Sequence, residues 1–249
     1  MAPARMLLVE DDPMLRRFVR MALEALPLEL LECDSVAPAL QILAAQPVQL
    51  ILTDLMLPGA SGVDLLLHLQ QHPALRGTAK VVVFSAGLTP ETRLQLAPLQ
   101  VWRLLEKPTP IAVLEQCVRE ALAVGDDSGG DSPPPAAAPA SDRHVAIDQY
   151  FGGDAELFHL YRNTCMAQFP HDLAAGDRAA NGHDLPTLRR VAHSLKTVLL
   201  TIDLPVLAAQ ARALESTCHT GAPDAAARDW PLLRAALADF VKNQGSAQY

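Results

Sequence analysis

Between Arg5 and Val124, short runs of Val, Leu and Ile alternate with longer stretches in which apolar residues recur every three or four positions. Short continuous apolar runs suit strands buried on both faces, and the three-to-four spacing gives each helix one stripe to lay against them. The pattern predicts strands at Arg5–Val9, Glu29–Cys33, Gln49–Thr53, Lys80–Phe84 and Val101–Leu105. Helices are predicted near Pro13–Ala25, Val36–Ala45, Gly62–His72, Pro90–Ala97 and Ile111–Val124. Five such βα units imply an α/β fold with a five-stranded parallel, doubly wound sheet. Beyond Asp142 no strand pattern is found. Helical periodicity near Ala155–Ala174, Leu185–Ile202, Leu204–Cys218 and Trp230–Val241 predicts an all-α helical bundle there.

The stretch between these two regions, Gly-Asp-Asp-Ser-Gly-Gly-Asp-Ser-Pro-Pro-Pro-Ala-Ala-Ala-Pro-Ala-Ser, offers almost nothing to bury and reads as a linker. The expected division is residues 1–124, a linker at 125–141, and residues 142–249. A chain of 249 residues that is 50% apolar has enough material for two cores of ordinary size. Acidic residues outnumber basic ones by 28 to 20, and this surface does not attract nucleic-acid phosphates. No segment approaches the roughly 20 apolar residues of a membrane span, and Met1 to Arg5 is too short for a signal peptide, so a soluble cytoplasmic protein is expected. The widely spaced Cys33, Cys117, Cys165 and Cys218 indicate neither a zinc site nor a disulfide framework.

Ligands of open parallel sheets bind beyond the carboxyl ends of the strands. There the sequence places Glu10-Asp11-Asp12 after strand one, Asp54 after strand three, Ser85 after strand four and Lys107 after strand five. Carboxylates gathered on one edge repel unless a hard cation sits among them, and Mg²⁺ suits a site of one or two carboxylates, a carbonyl and waters. With the acids neutralised, one carboxylate can attack a phosphoryl group while a lysine and the metal hold the charge on the transferring oxygens.

These residues resemble the receiver domain of bacterial response regulators over Arg5 to Val124. The resemblance rests on Leu8-Val9-Glu10-Asp11-Asp12-Pro13, Thr53-Asp54-Leu55-Met56-Leu57-Pro58-Gly59, Phe84-Ser85-Ala86 and Glu106-Lys107-Pro108. It implies a flavodoxin-like fold with Asp54 as the phosphorylated residue. Asp11, Asp54 and the Met56 carbonyl would bind Mg²⁺, with Glu10 acting nearby or through water. Ser85 and Lys107 would contact phosphoryl oxygens, and the Lys107–Pro108 bond would be cis. Asp12 is read instead as the cap of the first helix, ahead of Pro13. Relatives often carry Tyr or Phe where Leu104 stands, and the only nearby aromatic is Trp102, so the usual aromatic reporter of phosphorylation is missing.

In the helix Leu185–Ile202 the apolar stripe comprises Leu188, Val191, Ala192, Leu195, Val198, Leu199 and Ile202. His193 lies about 160° from Leu195 around the helix. It is therefore expected to face solvent among Arg189, Arg190, Lys196 and Thr197. A neutral imidazole ringed by cations suits attack on a phosphoryl group. Val191-Ala192-His193-Ser194-Leu195-Lys196, followed by Leu207 to Glu215, resembles the histidine phosphotransfer (HPt) domain over about Asp142 to Lys242. On that resemblance His193 is the phosphorylated residue and Lys196 its electrostatic helper. Thr197 stands where the family usually has glycine, and Asp203, also at a glycine position, is expected to cap the next helix. His68, His72, His144, His159, His171, His183 and His219 are read as surface or packing residues.

Three readings follow. The first is a phosphorelay intermediate that takes phosphoryl groups from a sensor or hybrid histidine kinase, with downstream receiver domains as further partners. It would not be an enzyme of the kinase type, because the sequence contains no phosphate loop and nothing resembling an ATP-binding kinase domain. The second is an adaptor or phosphate sink with one domain chemically idle. The third, an aspartate-nucleophile phosphatase, needs a second aspartate two residues after the nucleophile, where Met56 stands.

Overall fold

The computed structural model describes residues 3–123, 145–221 and 223–245. Two compact units form, Met1–Pro139 and Ala140–Tyr249. The segment read as a linker and His144 lie outside the described residues.

The first unit is an α/β sandwich of β1 (Ala4–Val9), α1 (Pro13–Ala22), β2 (Leu28–Cys33), α2 (Val36–Ala45), β3 (Leu50–Thr53), α3 (Gly62–Gln71), the short α4 (Pro73–Arg76), β4 (Lys80–Ser85), α5 (Pro90–Leu96), β5 (Arg103–Glu106) and α6 (Ile111–Leu122). All strands are parallel, in the order β2-β1-β3-β4-β5, as the alternating pattern predicts. Every residue of β3 is buried, while the edge strands β2 and β5 are largely half-exposed. This gradient is what helices on both faces produce, because only the centre of the sheet is fully covered. The predicted α1 ran to Ala25, but the helix stops at Ala22: Leu23 to Leu26 close a turn ahead of Pro27, which disfavours helix in the residue before it. The fifth strand begins two residues later than predicted, and α4 is too short to show a periodicity.

The second unit holds α7 (Val145–Phe151), α8 (Ala155–Asn181), α9 (Leu185–Thr201), α10 (Pro205–His219) and α11 (Pro223–Gly245). The four long helices confirm the predicted bundle, whose core includes Phe158, Tyr161, Phe169, Leu195, Leu214 and Trp230. Two helices outrun the pattern. The α8 helix continues past Ala174 through Gly176, where a Cβ would lie 2.0 Å from the Trp230 indole, so this glycine serves helix packing rather than helix termination. The α11 helix starts at Pro223, at a position where a proline costs no hydrogen bond. The unpredicted α7 has seven residues and stops at Gly152 and Gly153, both at positive φ.

The role expected of Asp203 is not what is found. The cap position of α10 is Leu204, without a side-chain hydrogen bond, whereas Asp203 has φ of 65° and follows the end of α9. The Leu204 amide donates to the Leu199 carbonyl at 2.8 Å and the Asp203 amide to the Leu200 carbonyl at 3.3 Å. These two bonds are the Schellman closure, which needs a left-handed residue and accounts for a glycine there in relatives.

Candidate functional site

The parallel topology brings the carboxyl ends of β1, β3, β4 and β5 to one edge, and the acidic and basic residues gather there. Glu10 is 1% exposed, Asp54 3%, Ser85 1% and Lys107 4%, while Asp11 is half-buried. Carboxylate oxygens of Glu10, Asp11 and Asp54 all lie within 4.8 Å of one another. Lys107 Nζ donates to Asp54 Oδ2 at 2.7 Å and also bonds Glu10 Oε2. The turn after β3 holds the other Asp54 oxygen, since Oδ1 accepts the Leu55 amide at 2.5 Å and the Met56 amide at 3.3 Å. Gly62 permits that turn, because a Cβ on it would lie 2.0 Å from the Asp54 carbonyl oxygen.

Burial pushes the Glu10 carboxyl up to about 8, and the neighbouring charges of Asp54 and Asp12 add to the rise against the pull of Lys107. Burial works against the Lys107 charge too, but Asp54 and Glu10 outweigh it and hold the ammonium above its usual value. Three carboxylates, those of Glu10, Asp11 and Asp54, converge here on a single lysine. The clustered hard oxygen donors fit Mg²⁺.

Asp12 stands apart from this set, as expected. Its Oδ1 accepts the Met14 and Leu15 amides at 2.6 and 3.1 Å and caps α1. The bond between Lys107 and Pro108 is cis. Leu104 packs against the sheet core. Trp102 precedes β5, at the opposite end of the strand from Lys107, with Lys80 Nζ 4.9 Å and the Arg103 guanidinium 4.5 Å from its ring. It therefore does not stand in for the missing aromatic.

The second site corrects the sequence-based expectation. His193 is 3% exposed and Lys196 8%, so neither faces solvent. The apolar stripe of one helix locates its own hydrophobic face, but α9 packs against both α8 and α10, and α10 covers the face that carries His193. Of the cations expected around it, Arg190 bonds the Thr187 hydroxyl at 3.2 Å, and Lys196 shares a hydrogen-bond partner with the imidazole. That partner is Glu215 of α10, whose Oε1 lies 2.6 Å from His193 Nδ1 and whose Oε2 accepts from Lys196 Nζ at 2.6 Å. Burial opposes ionisation of Glu215, yet the hydrogen bonds and charges of His193 and Lys196 prevail and bring its carboxyl down to about 2. His193 Nε2 is buried and has no hydrogen-bond partner. Thr197, 1% exposed, turns its hydroxyl to the His193 carbonyl at 3.4 Å.

Glu215 was legible only as the end of a Leu-Glu motif, with no role attached. The pairing of α9 with α10 would have been the signal for it. The remaining described histidines are half-buried or exposed, with His68 and His72 stacked 4.2 Å apart.

Two family models match the chain. Residues 6–119 match the response regulator receiver domain and residues 161–243 the Hpt domain. The response regulator protein PilR of Pseudomonas aeruginosa is 29% identical over 134 residues, 53% of this chain and 29% of that protein. The KDP operon transcriptional regulatory protein KdpE of Escherichia coli is 31% identical over 116 residues, 47% of this chain and 50% of that protein. The chain thus spans half or less of the length of these curated relatives. Among solved structures, the chemotaxis response regulator CheY4 of Vibrio cholerae aligns with 48% of this chain and 99% of its own, at 18% identity and a TM-score of 0.45. In one polypeptide this chain joins a response regulator receiver domain to an Hpt domain, the domain pair of two-component phosphorelay signalling.

Proposed function

We propose that the chain is a phosphorelay intermediate that accepts a phosphoryl group on Asp54 and carries or transfers one on His193. The working units would be residues 1–124 and 142–249, joined by 125–141. The observation that carries the reading is the buried cluster in which Lys107 bonds both Asp54 and Glu10.

An Asp54 carboxylate oxygen attacks the phosphorus of a phosphohistidine on a partner histidine kinase. A P–O bond forms as the P–N bond breaks, and the electron pair stays on the leaving imidazole nitrogen, which takes up a proton. Lys107, 2.7 Å from Asp54 Oδ2, and the Ser85 hydroxyl balance charge on the transferring oxygens. The residues that would hold Mg²⁺ are Glu10, Asp11, Asp54 and the Met56 carbonyl, and the ion supplies charge neutralisation at the phosphoryl oxygens when bound.

In the bundle, Glu215 fixes the imidazole by accepting from Nδ1–H, which leaves the lone pair on Nε2 for phosphorus. A second reading, an adaptor or phosphate sink in which His193 is idle, is favoured by the burial of Nε2.

The two readings separate on incubation of a radiolabelled, phosphorylated histidine kinase with the wild type, Asp54→Ala and His193→Ala. The relay predicts base-labile label that requires Asp54 and acid-labile label that requires His193. Label confined to Asp54 under every donor tried would leave the phosphate-sink reading. No cytoplasmic or membrane-bound location is assigned by the fold; among the described residues no helix is long and apolar enough to cross a membrane.

A further inference from the structure

Three acidic residues follow β1 in succession, and the side chains of the first two, Glu10 and Asp11, share one small volume with Asp54. Like charges at that separation push the turn open in the absence of a cation. The backbone of the turn is nevertheless held at five of its polar groups. The Glu10 amide donates to the Cys33 carbonyl at 3.0 Å and the Asp12 amide to Glu10 Oε1 at 3.3 Å, and the Asp12 carbonyl accepts the Arg16 amide at 3.0 Å. One side chain serves the two remaining carbonyls. Arg16 Nη1, from the first turn of α1, donates to the Glu10 oxygen at 2.5 Å and the Asp11 oxygen at 3.0 Å.

We infer that Arg16 is a positioning residue for the metal site, holding the Glu10–Asp11 turn in the shape that points the Asp11 carboxylate at Asp54 and so setting the affinity for Mg²⁺. The inference rests on the proposed reading of Glu10, Asp11 and Asp54 as the Mg²⁺ site. Arg16 does not touch the reacting atoms. It bonds the peptide carbonyls of Glu10 and Asp11, whereas Lys107 bonds the carboxylates of Glu10 and Asp54.

Two effects of Arg16 have opposite signs. As a nearby positive charge it repels a dication, so its removal would tighten Mg²⁺ binding. As a fastener of the turn it pre-forms the ligand set, so its removal weakens binding. Loss of a group that orients a metal ligand typically costs about 10–100-fold in metal affinity. Charge repulsion through a partly hydrated site is screened to less than that.

The test is a titration of the isotope-labelled full-length chain with MgCl₂, followed by amide chemical shifts, for the wild type, Arg16→Met and Arg16→Lys. The same spectra taken without metal report whether each variant is folded. Arg16→Met is expected to weaken Mg²⁺ binding by about tenfold or more. Arg16→Lys keeps the charge on a shorter side chain whose nitrogen does not reach the Nη1 position and is expected to fall between the two. Unchanged or tighter binding by folded Arg16→Met overturns the inference. Should that variant not fold, Arg16→Lys decides, wild-type affinity overturning the inference and weaker affinity supporting it. A wild type that binds no Mg²⁺ near Asp54 would instead refute the metal site itself.

Discussion

Glu215 holds two neighbours with one carboxylate, and its titration gives the bundle an acid-sensitive joint. Its carboxyl sits near 2 in the folded state against an ordinary 4.5. A group depressed on folding contributes stability that is fully present above its unfolded value and is lost as pH falls through its folded one. The bundle is therefore expected to lose stability between about pH 4.5 and 2, and Glu215→Gln, which has no proton to gain, is expected to show a shallower acid limb there. Unfolding midpoints of both proteins across that range check it. Thr197 bears on access rather than stability. Its side chain covers the turn that carries His193, as helical side chains lean toward the N-terminus, and Nε2 is sealed. Thr197→Gly is expected to speed phosphoryl transfer at His193 several-fold while costing about 0.5 kcal/mol of stability through helix propensity. Single-turnover transfer from a phosphorylated receiver measures the first and denaturant unfolding the second, and an unchanged rate would remove Thr197 as the obstacle. Asp54, Ser85 and Lys107 were legible from sequence because parallel strands must deliver their carboxyl ends to one edge. The setting of His193 was not, because burial of a central helix depends on what its neighbours cover.

At the scale of elements, the turn from β3 into α3 is the piece whose geometry the first site can least spare. Asp54 Oδ1 receives two amides of that turn, and the Gly62 amide closes it on the Leu55 carbonyl at 3.0 Å. A Cβ at position 62 would meet a backbone oxygen rather than a movable side-chain end. Gly62→Ala is therefore expected to shift the Asp54 turn and, since about 1 Å of misplacement costs on the order of a hundredfold in rate, to slow phosphoryl acceptance by that order. Initial rates of Asp54 labelling by a phosphorylated kinase test it, and a rate within twofold of wild type would show that the turn absorbs the methyl group. Element starts were read well at Pro13, Val36 and Ile111, but the start of α11 at Pro223 was missed, because its periodicity was read only from Trp230. The end of α8 was misread where a glycine does packing work. Gly176 looks like a helix breaker in one dimension and is a seat for Trp230 in three.

At the scale of the whole molecule, the two units have separate hydrophobic cores, the first built on the sheet and the second on the long helices. Each should therefore unfold by its own cooperative transition. The candidate Mg²⁺ ligands Glu10, Asp11 and Asp54 all belong to the first unit, whereas the His193, Lys196 and Glu215 constellation belongs to the second. A ligand that binds only a folded unit stabilises that unit alone, by about 2.7 kcal/mol at a hundred times its dissociation constant. For a domain of this size that corresponds to a rise of roughly 10 °C or more in one transition. Scanning calorimetry of the full chain is expected to resolve two transitions, with MgCl₂ raising the midpoint of one and leaving the other in place. Asp54→Ala, which deletes a ligand, should shrink the rise without moving the second transition, and His193→Ala should leave the rise intact. A single transition, or a metal-dependent shift of both, would mean that folding couples the two units, and the two acceptors would then have to be treated as one cooperative system.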